Sequence, residues 1–215
     1  MEPATAILLM LGGAALASGK KSRIRRPGRD FFGEGEADPG LVAEFITDSA
    51  RYVSDKYNTM LSLWKFMLPT AYWESRFDPY AQAGSSRNSA RGLFQLRADS
   101  AFTESNGLAG LRDRPDLLLD PVWNFVAAAD YAARGIIKMN KAGYEANLLA
   151  IRRYWALPRL VSDIYETEER SRIVRSNFSE ALQAVGLSTS TMQEKISLGG
   201  YPGIYYIGKD FGLWE

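Results

Sequence analysis

The stretch Ala71-Tyr-Trp-Glu-Ser-Arg-Phe-Asp-Pro-Tyr-Ala81, followed by Arg91-Gly-Leu-Phe-Gln-Leu96, decides the reading of this chain. Glu74 closes an apolar pattern at helical spacing, with Leu63, Trp64, Met67, Leu68, Ala71 and Tyr72 on one stripe. Residues 78–92 are polar and rich in Gly and Ser, which reads as a loop. The segment carrying Gly92 and Gln95 can then fold back over the carboxylate. A carboxyl group among apolar walls loses solvation, and that favours its protonated form. A protonated Glu at neutral pH is a general acid, the group that protonates the leaving oxygen of a glycosidic bond. A lone Glu would instead be read as a helix-terminal surface carboxylate, so the surrounding motif carries the argument.

Working outward, the pattern is mostly helical. Asp38-Pro39 gives an N-cap with Pro at the first helical position, and Leu41, Val42, Phe45, Ile46, Ser49, Val53 and Tyr57 follow at helical spacing. The helix that ends near Glu74 is expected over Thr59 to Ser75, with a kink or a late start because Pro69 lies inside it. Asp120-Pro121 opens another helix, with Val122, Phe125, Val126, Ala129, Ala133 and Ile136 on one face. Gly143 to Trp155 and Thr167 to Val185 read as two more, the last stopped by Gly186. Strand signal is confined to Tyr205-Tyr206-Ile207, inside a Gly- and aromatic-rich tail of little helical pattern.

Composition removes whole classes of chemistry. With 46% hydrophobic and 12% aromatic residues in 215, the chain can bury a core as one domain plus extensions. It has no His and no Cys, which excludes Ser-His-Asp triads, thiol chemistry, disulfides and the usual structural zinc sites. No metal site and no cofactor is expected. A net charge of +1 argues against a nucleic-acid binder. Carboxylates, Lys and Tyr remain for proton transfer.

The two segments resemble the signature of the soluble lytic transglycosylases and their goose-type lysozyme relatives. The match is Glu74, Ser75, Phe77, Pro79 and Ala81, then Gly92, Leu93, Phe94, Gln95 and Leu96. Weaker marks follow in order. Asp120-Pro121 with Asn124 and Tyr131 looks like the family's next long helix, and Leu148-Leu149-Ala150 through Tyr154 looks like its Ala-Tyr-Asn segment. The resemblance runs over roughly residues 60–160. It implies a mainly α, lysozyme-like domain over residues 38–186. An apolar segment plus basic linker (1–37) precedes it, and an irregular aromatic extension (187–215) follows.

The resemblance also implies an activity. A single Glu cleaves the β-1,4 bond between N-acetylmuramic acid and N-acetylglucosamine and leaves a 1,6-anhydro sugar. Glu74 would be that catalytic residue, with Ser75, Phe94, Gln95 and Tyr154 as substrate-binding residues. Gln95 has a second reading as a loop-fixing amide, and Tyr154 a second reading as a core aromatic, because Trp155 stands where the family has Asn. Asn124 and Tyr131 read as packing and helix-pairing residues. The chain departs from the pattern in a longer Glu74-to-Gly92 spacing, with Gly84-Ser-Ser-Arg-Asn-Ser89 as the insertion, in Ala83, where a substrate-contacting Ser is common, and in Arg97-Ala98.

Both ends suggest an assembly. Ala4 to Ala17 is an apolar run of 14 residues, short against the ~20 that a spanning helix needs. It reads as a helix packed on a partner or on its own domain, as a membrane-inserting segment, or as a failed signal peptide. The expected partners are peptidoglycan strands and other virion or envelope proteins reached through both termini. The expected setting is a phage virion acting on the bacterial cell wall and periplasm, with a membrane-anchored bacterial envelope enzyme as the alternative. A hydrolytic lysozyme and a structural virion protein with a degenerate domain remain as rival functions.

Overall fold

The computed structural model describes residues 37–156 and 168–214. Among these residues the architecture is mainly helical, with no strand and three isolated bridges. The apolar segment 4–17 lies outside them. No helix among the described residues is long and apolar enough to cross a membrane.

Helix α1 (Pro39–Tyr57) begins where the N-cap signal puts it, with the Asp38 carboxylate accepting from Gly40 N at 2.7 Å. Asn58, in the left-handed region, ends it. Helix α2 (Leu63–Ser75) starts later than Thr59, not because of Pro69 but because Asn58, Met60 and Ser62 all carry positive φ and hold a tight turn between the two helices. Pro69 sits fully inside α2, and the helix runs on through it. Helix α3 (Ala98–Ala101) is a single turn, followed by 3-10 turns at Glu104–Asn106, Ala109–Leu111 and Pro115–Leu119. Helix α4 (Pro121–Lys141) is capped by Asp120, whose side chain accepts from Val122 N and Trp123 N. Helices α5 (Leu148–Ala156) and α6 (Glu168–Ala184) complete the body.

Helix α4 is the centre of the packing. Its Phe125, Val126, Ala127, Ala128, Ala129, Ala132, Ala133 and Ile136 are all solvent-free. Small residues at successive positions let neighbouring elements approach closely. At Gly135 an added Cβ would lie 2.6 Å from the Tyr154 ring, so α5 packs directly on the backbone of α4 there. Helix α2 lies against α1, α5 and α6, with Phe66 meeting Trp155 at 5.7 Å and Phe178 at 6.4 Å.

The tail departs from its sequence reading. Tyr205-Tyr206-Ile207 is not a strand; Ile204–Asp210 forms helix α7. The tail is packed on its own body. Phe211 sits 5.5 Å from Phe125 and 6.1 Å from Tyr52, and Trp214 lies 5.3 Å from Trp123. Tyr201 donates to buried Asp130 at 2.7 Å, and Asp210 accepts from Lys56 and Tyr57 of α1. Apolar burial of this size outweighs the weak local helix pattern that the sequence offers. Tyr205 and Tyr206 remain exposed.

Candidate active site

Glu74 occupies the last turn of α2, at the negative end of the helix dipole. That end of the macrodipole disfavours an anion, and α2 has no basic residue in its last turn to offset it. The cation comes from another helix. Arg152 of α5 brings Nη1 to 2.7 Å from Glu74 Oε1. The Arg152 side chain is 4% exposed and that of Glu74 22%. The contact is ionic more than directional, since Arg152 Nη1 and Nε make no hydrogen bond of sound geometry. The apolar surround expected for Glu74 is therefore corrected: one side of the carboxylate faces a buried guanidinium.

The chain then turns sharply. Arg76 and Phe77 follow Glu74 with φ of 56° and 68°, and Gln95 has φ 46°. Each non-Gly residue in this region costs ~1–2 kcal/mol, and such strain persists only where surrounding contacts fix it. Phe77 is held by burial and by the Tyr72 ring at 5.8 Å. The guanidinium of Arg76 stacks over the rings of Tyr72 and Trp73, at 4.3 and 5.5 Å.

The segment 91–96 is pinned beside this turn from three sides. Ser75 Oγ donates to Leu93 O at 2.9 Å, tying the segment to the end of α2. Asn124 of α4, fully buried, accepts from Phe94 N at 2.9 Å and donates to Arg91 O and Leu118 O at 3.0 and 2.9 Å. Gln95 Nε2 donates to Ala81 O and Gly92 O, both at 3.0 Å. Gly92 has φ 73°, and a Cβ there would fall 2.5 Å from Asn124 Nδ2 and closer still to Leu118 O, so only glycine fits. Arg91, buried, uses its guanidinium on the carbonyls of Ser86, Arg87 and Ser89 and so organises the inserted loop.

The sequence-derived site residues therefore separate. Glu74, Ser75 and the Gly92–Leu96 segment come together. Gln95 is half-buried; its nitrogen fixes the loop, and no hydrogen bond among the described residues reaches its Oε1. Phe94 is fully buried, edge-on to Trp155 at 6.2 Å. Tyr154 turns away from Glu74 and makes no hydrogen bond to it among the described residues. Its ring lies 5.4 Å from that of Tyr131, with Lys138 Nζ 5.4 Å above it. Helical geometry gives the reason. Arg152 and Trp155 are three apart and share the face toward α2, which points Tyr154 at α4. The Tyr131 hydroxyl is pushed up, first by burial and then by the neighbouring Tyr154.

Arg152 was not singled out by sequence reasoning. A signal for it exists: Arg152-Arg153 sits within the apolar run Leu148 to Trp155, and adjacent helical residues point about 100° apart. The two guanidinium groups could not both face water if the helix was to be buried. Among the described residues, no cluster of His, Cys, Asp and Glu is placed to hold a metal.

A mainly helical domain with one carboxylate at a helix end, beside a strained turn and a pinned glycine segment, is of the lysozyme-like helical class. Residues 50–156 match the family model described as Transglycosylase SLT domain, and over this span the chain belongs to the SLT lytic transglycosylase family. The span agrees with the extent of the resemblance read from the motifs. No curated protein and no solved structure matches the chain.

Proposed function

We propose that the protein is a peptidoglycan lytic transglycosylase in which Glu74 is both acid and base. The observation that carries the reading is the placement of Glu74 on the final turn of α2, joined through Ser75 to the 91–96 segment inside a transglycosylase SLT domain. Glu74 gives its proton to the oxygen bridging the muramyl C1 and the glucosaminyl C4. The C1–O bond breaks. The muramyl C6 hydroxyl oxygen then bonds to C1, and its proton passes to Glu74. A 1,6-anhydro end forms and no water is consumed. Gln95 Oε1 is the acceptor offered to a sugar amide or hydroxyl, while Ser75 and Phe94 shape the wall behind the site, and Tyr154 supports the helix that carries Arg152. The setting that fits is a virion component that opens the cell wall during entry.

The test is digestion of purified peptidoglycan with mass spectrometry of the products. Anhydromuramyl ends are expected. Reducing ends alone would turn the reading toward a hydrolytic lysozyme. Glu74→Gln, which keeps size and polarity but cannot supply the proton, should lose ~10²–10⁴-fold or more of the activity. Near-normal lysis by that variant would remove Glu74 from the chemistry. The second reading, a structural protein with a degenerate domain, draws on the Arg152 ion pair, which occupies one carboxylate oxygen. It predicts no lysis by the unaltered protein.

A further inference from the structure

We propose that Arg152 is the positioning residue of Glu74: it fixes the carboxylate at the end of α2 and stabilises the anion left when the proton moves to the leaving oxygen. The inference rests on the reading of Glu74 as the acid. Its basis is the geometry of one buried side chain. Arg152 is 4% exposed, its Nη1 lies 2.7 Å from Glu74 Oε1, and its Nε makes no hydrogen bond. A buried guanidinium is costly to desolvate and is kept where a partner compensates it. Here that partner is the carboxylate at the site.

The neighbours leave Arg152 as the group that sets the local charge. Just past α2, Arg76 is drawn onto the rings of Tyr72 and Trp73. From α1, Arg51 lies over Trp64 at 4.8 Å. From α4 and α5, Tyr131 and Tyr154 pair with each other. From α6, Arg172 and Arg175 line a cavity of about 310 Å³ together with Arg153 and Ser171. The 91–96 segment presents Gln95, which is uncharged. Among the described residues, the ion pair of Glu74 is with Arg152.

A cation in contact with a carboxylate stabilises the anion. The carboxylate left after proton transfer has its counter-ion already in place, and its aim at the end of α2 is held by the same contact. Arg152 therefore acts on the proton-transfer step rather than on sugar binding. Removing the charge has a signature that simple loss of packing lacks: kcat falls with KM in place, and a substitute that keeps the charge restores it.

The experiment compares Arg152→Met, Arg152→Gln and Arg152→Lys with the unaltered protein, using kcat and KM for lysis of purified peptidoglycan. For Met and Gln kcat should fall about 10- to 100-fold, as for a group that assists proton transfer, with KM unchanged. Lys keeps the charge, so it should recover most of kcat. If Met fails to fold, Gln, with its polar head group, carries the same test. An unchanged kcat in a folded, charge-free variant overturns the proposal, as does a Lys variant no better than Gln. Glu74→Gln run in parallel separates the two claims. If it stays lytic, the reading of Glu74 fails. If it is dead while the charge-free Arg152 variants keep the kcat of the unaltered protein, only the role of Arg152 fails.

Discussion

Replacing Glu74 by Gln should cost stability as well as activity, and the reason lies in Arg152. With Nη1 2.7 Å from Oε1, the charge centres sit about 4 Å apart, worth ~4 kcal/mol at an effective dielectric of 20. The Glu74 side chain keeps 22% of its exposure, so water screens part of this, and the amide retains a dipole toward Arg152. A net loss of ~2 kcal/mol is expected, below the ~3–5 typical of a fully buried pair with one partner removed. For a chain of this size that is a fall of ~4–8 °C in the unfolding midpoint. Circular dichroism at 222 nm on heating measures it, with the spectrum at 25 °C unchanged. The double variant Glu74→Gln with Arg152→Met should recover part of the loss, because it no longer buries an uncompensated charge. If Glu74→Gln matches the unaltered protein within ~0.5 kcal/mol, the two groups are not coupled as described. The same follows if the double variant is worse by the full sum of the single ones.

Three further outcomes are expected. Gly92→Ala should lose ~2 kcal/mol or more in urea unfolding and most of its lytic rate, because the new Cβ meets Leu118 O and Asn124 at an already left-handed position. Removing residues 199–215 should lower the melting midpoint and raise dye binding to apolar surface, since Phe125, Trp123 and Tyr52 lose the rings that cover them; unchanged stability would mean that the tail is not part of the core. The Tyr57 hydroxyl is pushed up to about 12 by burial and by the Asp210 carboxylate. This stabilising contribution is complete below the ordinary tyrosine range and is lost as pH rises from about 10 toward 12. Asp210→Asn should therefore flatten the alkaline fall in stability; an equally steep fall would remove Asp210 as its cause.

The parts legible in the sequence are those with local causes. Asp38-Pro39 and Asp120-Pro121 mark helix starts because capping and the fixed φ of Pro act within a few residues. Glu74 with Ser75 and the Gly92 segment could be placed together because Gly92 is needed by its own backbone angle. What the sequence hid is decided at a distance. Helix α7 forms where strand signal stood, because Phe211 and Trp214 find Phe125 and Trp123 on α4. The facing of Tyr154 depends on which side of α5 meets α2, and periodicity leaves that open over nine residues. Arg152 was masked by its own type, since Arg is read as surface unless a partner is known.

The substitution of Trp155 for the family's Asn bears on all of this. Trp155 packs edge-on against Phe66, Phe94 and Tyr131, at 5.7, 6.2 and 5.0 Å. It thus touches α2, the 91–96 segment and α4 at once. A ring at that junction fixes the rotation of α5 about its axis. Once that rotation is fixed, position 152 faces the end of α2 and position 154 cannot. The Trp and the Arg are therefore linked: with Trp155 seated in the core, a tyrosine one residue before it is out of reach of Glu74. The residue three before it is the one placed to hold the carboxylate. In this chain the partner of the proposed acid follows from the residue that fills the core beside it.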